Sequence, residues 1–372
     1  MKKNPLLQLE SFGQSIWMDF IRRGMITSGE LQQLIEKDGI SGVTSNPSIF
    51  EKAIVESHDY DEAIRSLTLK GMTRDEIYQA LTVEDIQNVA DLLRPTYDRT
   101  KGQDGFVSLE VSPRLAHDTV GSIEEARQLW SLVDRPNAMI KVPATLEGIP
   151  AIQQLIGEGI NVNITLLFGL PRYREVAEAY ITGLKTLATK GENLKRVASV
   201  ASFFLSRIDV LLDPLLEKKI LEGGPQAEIA ARLQGQVAVA SAKVAYQIYD
   251  EIFSGDRFRE LTRIGARTQR LLWASTSTKN PSYADTKYIE PLIGANTINT
   301  LPIETLNAYR EHGNPKPSLA QNVSEAHQIL HDLSSLGFDL NAVSQRLEQE
   351  GVDKFSTAFD RLMSALKEKQ VS

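Results

Sequence analysis

Ala138-Met139-Ile140-Lys141-Val142-Pro143 is a run of strand-forming residues with one lysine at its centre. An unpaired ammonium in a buried strand is costly, because burial strips its hydration and disfavours the charged form. A solvated strand face or a buried carboxylate partner would relieve that cost. So would a chemical role, since a lysine amine in a dry site is a nucleophile able to form a Schiff base with a carbonyl. The segment alone leaves these readings open, and the rest of the chain bears on the choice.

Further short apolar runs occur at Ser15–Phe20, Gly42–Asn46, Phe106–Val111, Val162–Phe168, Val197–Phe203, Leu271–Thr276 and Thr297–Leu301. With Met139–Pro143 they make eight, and helical patterns separate them. Strand and helix in alternation are the mark of a parallel α/β architecture, and eight such units predict a (β/α)8 barrel. An open doubly wound sheet is the alternative that counting leaves standing. Thr73-Arg74-Asp75-Glu76 predicts a capping box, with Val83, Ile86, Val89, Ala90 and Leu93 at helical spacing behind it. The long connections Glu51–Gly105 and Ile208–Gln269 are mostly helical in pattern. Gly313-Asn314-Pro315-Lys316-Pro317 breaks the chain's course. Beyond it, Leu319, Val323, Ala326, Leu330 and Leu333 mark one helix and Asp353–Lys367 another. The expectation is one barrel domain over residues 1–372, with 318–372 a helical extension packed on the barrel.

Composition narrows the function classes. The chain is 372 residues long, 42% hydrophobic and 24% charged, as in an ordinary globular protein. A net charge of −7 gives no electrostatic reason to expect nucleic acid or an anionic membrane as partner. A local basic pocket for a phosphorylated substrate is compatible with that balance. There is no cysteine, hence no disulfide, thiol nucleophile or thiolate metal site. Glu10 and its polar neighbours interrupt any signal-peptide core. The longest apolar stretch, Ile164–Leu170, falls far short of the ~20 residues of a membrane span. A cytoplasmic location is therefore expected, and the chain fits a monomer or a homodimer. His327 and His331 lie four apart, but Gln328 stands where a zinc-protease motif needs glutamate, so they belong to a solvated helix face.

The strands themselves carry an unusual signal. Fully buried parallel strands are normally continuous Val/Ile/Leu runs. Here Val107, Leu109 and Val111 alternate with Ser108, Glu110 and Ser112, while Val162, Ile164 and Leu166 alternate with Asn161, Asn163 and Thr165. Ile16, Met18 and Phe20 likewise oppose Trp17 and Asp19. In a barrel one parity packs on the outer helices and the other faces the lumen. With the apolar parity outward, Asp19, Asn46, Glu110, Lys141, Asn163 and Thr165 converge near the C-terminal rim. Singly each has a bland explanation; Asp19 can cap a helix and Asn46-Pro47 can be a turn. Shared parity in all of them predicts a polar site.

The segments Gly42-Val43-Thr44-Ser45-Asn46-Pro47-Ser48-Ile49-Phe50 and Ile140-Lys141-Val142-Pro143-Ala144-Thr145-Leu146-Glu147-Gly148 resemble the two signature segments of transaldolases. Ser108–Val111, Asn161–Phe168, Ser202–Arg207 and, more loosely, Ala274-Ser275 extend the match in order from about Ser15 to Pro302. The chain looks like a longer bacterial-type member with extended helical connections.

The resemblance implies a class I aldol enzyme on a (β/α)8 barrel, using neither metal nor organic cofactor. It would serve the pentose phosphate pathway. Its sugar-phosphate substrates would be the donors sedoheptulose 7-phosphate and fructose 6-phosphate, and the acceptors erythrose 4-phosphate and glyceraldehyde 3-phosphate. By the same resemblance Lys141 is the Schiff-base lysine, and Asp19 takes the proton from the C4 hydroxyl. Glu110 and Thr165 hold a catalytic water, Asn46 and Asn163 bind donor hydroxyls, and Ser202 and Arg207 bind the phosphate. Carbon–carbon cleavage beside a ketone needs an electron sink and separate acid/base groups, which this residue set supplies.

The match has departures. The family places an arginine shortly after Ala-Ser as a second phosphate ligand. Here Ala274-Ser275-Thr276-Ser277-Thr278-Lys279 is longer and ends in lysine, a point charge without the guanidinium fork. Ser202-Phe203-Phe204 also lacks the proline common in better-known members. Fructose 6-phosphate aldolases are the nearest rival, and Glu110 and Phe204 weigh against them because that group carries Gln and Tyr there. A catalytically silent barrel is disfavoured by the complete residue set.

Overall fold

Each of the eight apolar runs forms a strand in the computed structural model, which describes residues 4–371. They are β1 (Gln14–Met18), β2 (Ile40–Thr44), β3 (Phe106–Glu110), β4 (Ala138–Pro143), β5 (Val162–Leu167), β6 (Ser199–Phe204), β7 (Arg270–Ala274) and β8 (Thr297–Leu301). All pairings are parallel and sequential, and β8 pairs back to β1 through Gln14–Thr297 to Met18–Leu301, closing the barrel. The open sheet is thereby excluded. Asp19, Phe20 and Asn46 lie just past the strands they were expected to end, because the ladder stops at the rim where loops begin.

The predicted alternation is the barrel's construction. Val107, Leu109, Ile140, Val142, Val162 and Ile164 are buried outward against the helices. Each such side chain contributes ~1.5–3 kcal/mol by leaving water. The capping box forms as read: Thr73 Oγ1 accepts from the Glu76 amide at 3.3 Å, and the Thr73 amide donates to Glu76 Oε2 at 2.7 Å. That helix runs on to Arg99. At the N-terminal end of the lumen, Asp104 collects the Trp17 indole N–H at 2.7 Å and the hydroxyls of Ser41 and Ser15. Gly42 makes the space for that indole, since a Cβ there would stand 2.4 Å from the ring. The lumen is therefore plugged at this end, and polar inward residues at the other end have room for a site.

After the predicted break, helix Val323–Ser335 forms, and helix Leu340–Val371 follows. The second begins well before Asp353, because its buried positions Leu347, Val352, Phe355, Phe359, Leu362 and Leu366 keep the helical period over a longer span. It packs on helix Pro47–Val55 above all, and also touches β5 and helix Ser206–Glu222. This closing helix thus returns to the C-terminal rim of the barrel. Bidentate contacts from Arg361 to Glu51, at 2.9 and 3.1 Å, tie it there.

Candidate active site

A cavity of about 1130 Å³ opens at that rim. Its floor is the inward parity of the strands and their ends: Asp19, Thr44, Lys141, Thr165, Ser202 and Phe204. Asn46, Arg207 and Lys279 stand on its wall, so eight of the ten residues singled out in the sequence reach one space. Glu110 and Asn163 do not reach the wall; they contact Lys141 and Ser202, which do.

Lys141 is buried at 4% exposure on β4. Its Nζ donates to the Ser45 carbonyl at 2.8 Å and lies 3.1 Å from Glu110 Oε2. The strand register produces the pair, because Glu110 on β3 stands directly beside Lys141 on β4. Lys141 is therefore paired with a buried carboxylate and also faces the cavity. The contact is an ion pair without hydrogen-bond alignment, and both Glu110 oxygens are buried with no hydrogen bond to the described protein. Thr165 Oγ1 is in the same condition. Buried polar atoms are nearly always partnered, so this carboxylate and hydroxyl form a place fitted for a small polar molecule.

Asp19 accepts a hydrogen bond from Thr44 Oγ1 at 2.7 Å, and Thr44 contacts Thr300 Oγ1 at 2.8 Å. The cavity side of Asp19 is open while protein surrounds the rest. Burial lifts its carboxyl above the ordinary range, with Lys141, the Thr44 hydrogen bond and Arg207 pulling the other way. Burial raises Glu110 likewise, against the opposing pull of Lys141.

Asn46 serves two ends. Its Oδ1 caps helix Pro47–Val55 by accepting from the Ile49 amide at 3.0 Å, and its amide also lines the cavity. Where the sequence suggested a turn at Asn46-Pro47 the structure has a helix N-cap, and the same residue lines the cavity. Asn163 is fully buried, donating to Ser108 Oγ at 3.0 Å and accepting from Ser202 Oγ at 2.6 Å. It fixes the Ser202 hydroxyl, which faces the cavity.

Arg207 has the least ordinary environment. Its guanidinium lies between the rings of Phe204, at 5.4 Å, and Phe355 of the closing helix, at 5.7 Å. Among the described residues it has no ion pair or hydrogen bond. Burial pulls its pKa down, opposed by Asp19, Glu110 and Glu350. A half-buried arginine with its donors unspent has the chemistry to receive an anion. Lys279 lies on the exposed loop after β7, its Nζ donating to Ser277 Oγ at 2.6 Å.

The sequence reading missed Thr44, whose inward parity marked it, and the Ser45 carbonyl, which no side-chain pattern can flag. It also missed Glu350, Lys354 and Phe355 of the closing helix, which line the cavity from far along the chain.

The family described as Transaldolase/Fructose-6-phosphate aldolase matches residues 16–366. The chain belongs to this family. It is 48% identical over 363 residues to a transaldolase of Thiobacillus denitrificans, covering 98% of this chain and 99% of that one. It is 45% identical over 374 residues to transaldolase 2 of Nostoc sp. strain PCC 7120, with 99% and 98% covered. A transaldolase of Trichodesmium erythraeum is similar to the same degree and extent. Family membership spans both the barrel and nearly all of the closing helix, so the helix is part of what these relatives share in length. Among the described residues no helix is long and apolar enough to cross a membrane.

Proposed function

We propose that this protein is a transaldolase that moves a dihydroxyacetone unit from a ketose phosphate to an aldose phosphate, in the pentose phosphate pathway of the cytoplasm. The observation that carries the reading is Lys141 Nζ on the cavity floor beside Glu110, in one cavity with a half-buried Arg207 whose donors are unspent. An amine and an anion receptor on one cavity suit a substrate with a carbonyl at one end and a phosphate at the other.

The Lys141 amine adds to the ketone, and the carbinolamine loses water to give an iminium. Glu110 and Thr165, with their oxygens unspent, hold the water through which those protons move. Asp19 takes the C4 hydroxyl proton as the C3–C4 bond breaks, and the iminium accepts the electron pair as an enamine. The aldehyde fragment leaves, the enamine attacks an acceptor aldehyde, and the steps reverse. Asn46 and the Ser202 hydroxyl orient donor hydroxyls and phosphate. A coupled assay for erythrose 4-phosphate-dependent consumption of fructose 6-phosphate tests the reading, and no consumption refutes it.

The choice between transfer and hydrolysis lies with Glu110 and Phe204. Phe204 offers no hydroxyl, and an ionised Glu110 does not donate a proton to the enamine carbon. Fructose 6-phosphate alone is expected to release about one equivalent of glyceraldehyde 3-phosphate per site, with erythrose 4-phosphate restoring turnover. Glu110→Gln is expected to shift the balance towards free dihydroxyacetone. Sustained dihydroxyacetone release by the unaltered protein would favour the aldolase activity instead.

Asp19 must be ionised to accept its proton, and burial raises its pKa. Activity therefore falls as pH drops through that raised value, so the acidic limb of kcat/KM is expected above the ordinary carboxylate range. The limb should persist in Glu110→Gln. Its disappearance there would reassign the titration to Glu110.

A further inference from the structure

We propose that Lys354, carried by the closing helix, is a cationic ligand of the substrate's phosphate alongside Arg207 and Lys279. This rests on the phosphorylated-sugar reading above and adds a residue to it. Helix Leu340–Val371 approaches Arg207 at Gly351, where a Cβ would lie 3.3 Å from Nη1 and 2.8 Å from Leu166 Cδ2. The missing side chain lets a helical backbone pass that close. The next turn then sets Phe355 on the guanidinium and Lys354 on the cavity wall. The bidentate Arg361–Glu51 pair, one face further along, holds the helix in this position.

Lys52, Arg207, Lys279 and Lys354 thus share one cavity wall. Neither Lys354 nor Lys52 has an ion pair or hydrogen bond among the described residues. Of the acidic groups beside Lys354 on its helix, Glu350 is engaged by Arg346 at 2.7 Å and Asp353 by Gln349 at 3.0 Å. Arg207 is the main influence lowering the Lys354 pKa, followed by burial, Lys279 and Lys52. Like charges gathered without partners repel; a phosphate dianion among them converts the repulsion to attraction. A carboxylate would satisfy one cation, whereas a phosphate presents enough oxygens for several. Lys354 brings to the cavity a cation from a part of the chain far from the β7 loop that carries Lys279.

Calorimetric titration with inorganic phosphate, and separately with fructose 6-phosphate, tests this in the full-length protein. Lys354→Met is expected to weaken both by roughly tenfold or more, the scale of one charge-assisted contact. Lys354→Arg should restore most of the affinity. Lys367→Met, on an exposed part of the same helix, removes the same net charge and should change affinity by less than about twofold. Undiminished phosphate binding by Lys354→Met, or an equal loss in Lys367→Met, overturns the inference. Because inorganic phosphate binding needs no turnover, the result stands apart from the transaldolase assay. Failure of that assay with Lys354-dependent phosphate binding intact would remove the activity and keep the ligand.

Discussion

Lys141→Arg is expected to fold and to lose at least ~10³-fold in turnover, about 4 kcal/mol of barrier at 1.36 kcal/mol per decade. A guanidinium stays protonated and cannot attack a ketone, while it keeps a positive charge beside Glu110. Lys141→Met removes the charge as well and should be equally inactive. Borohydride added with fructose 6-phosphate should leave a reduced three-carbon adduct on the peptide containing Lys141, found by mass spectrometry. Lys243 is the informative comparison. It too is buried, at 8% exposure, and burial lowers its pKa. Its Nζ, however, donates to the carbonyls of Ser318 and Gln321, at 3.1 and 2.6 Å, and lies off the cavity wall. Burial alone would nominate either lysine, and position nominates Lys141. An adduct on Lys243 or Lys185, or none at all, would sink the assignment.

Arg207→Ala should weaken phosphorylated substrates by roughly 1.5–3 kcal/mol, or about 10- to 150-fold in kcat/KM. Unphosphorylated fructose or dihydroxyacetone as donor should be affected much less. Arg207→Lys should fall between, since the point charge remains while the fork that spans two phosphate oxygens is lost. The thermal midpoint of Arg207→Ala should stay close to that of the unaltered protein. The variant gives up contacts with Phe204 and Phe355, but it also removes a half-buried cation that has no ion-pair partner. An equal loss for phosphorylated and unphosphorylated donors would show that Arg207 maintains structure and that the phosphate binds elsewhere.

Part of this site is visible in the chain before any folding. Alternation in Phe106–Val111 and Val162–Phe168 assigns each residue a side, because strand geometry has a period of two and a closed barrel has only two sides. That suffices to send Glu110, Asn163 and Thr165 inward, and the same logic extends to Thr44. It does not rank them by depth. Register sets Glu110 and Asn163 level with Lys141, and their contacts, Glu110 with the Lys141 ammonium and Asn163 with Ser108 and Ser202, hold them behind the residues that line the cavity.

By itself, then, the sequence determined the eight strands, the capped helix at Thr73, the inward parity and the lysine among polar groups. These are local properties: each follows from the period of a segment or from the chemistry of its ends. Only the tertiary structure decided that the Lys141 ammonium contacts Glu110 and the Ser45 carbonyl, that Asn46 both caps a helix and faces the cavity, and that Arg207 lies between two rings with its donors unspent. It alone brought the closing helix back to the rim, setting Gly351, Lys354 and Phe355 against Arg207 from about 150 residues further along the chain. A helix's periodicity says which of its faces is apolar. Which surface that face covers depends on contacts between segments far apart in sequence, and no single segment contains that information.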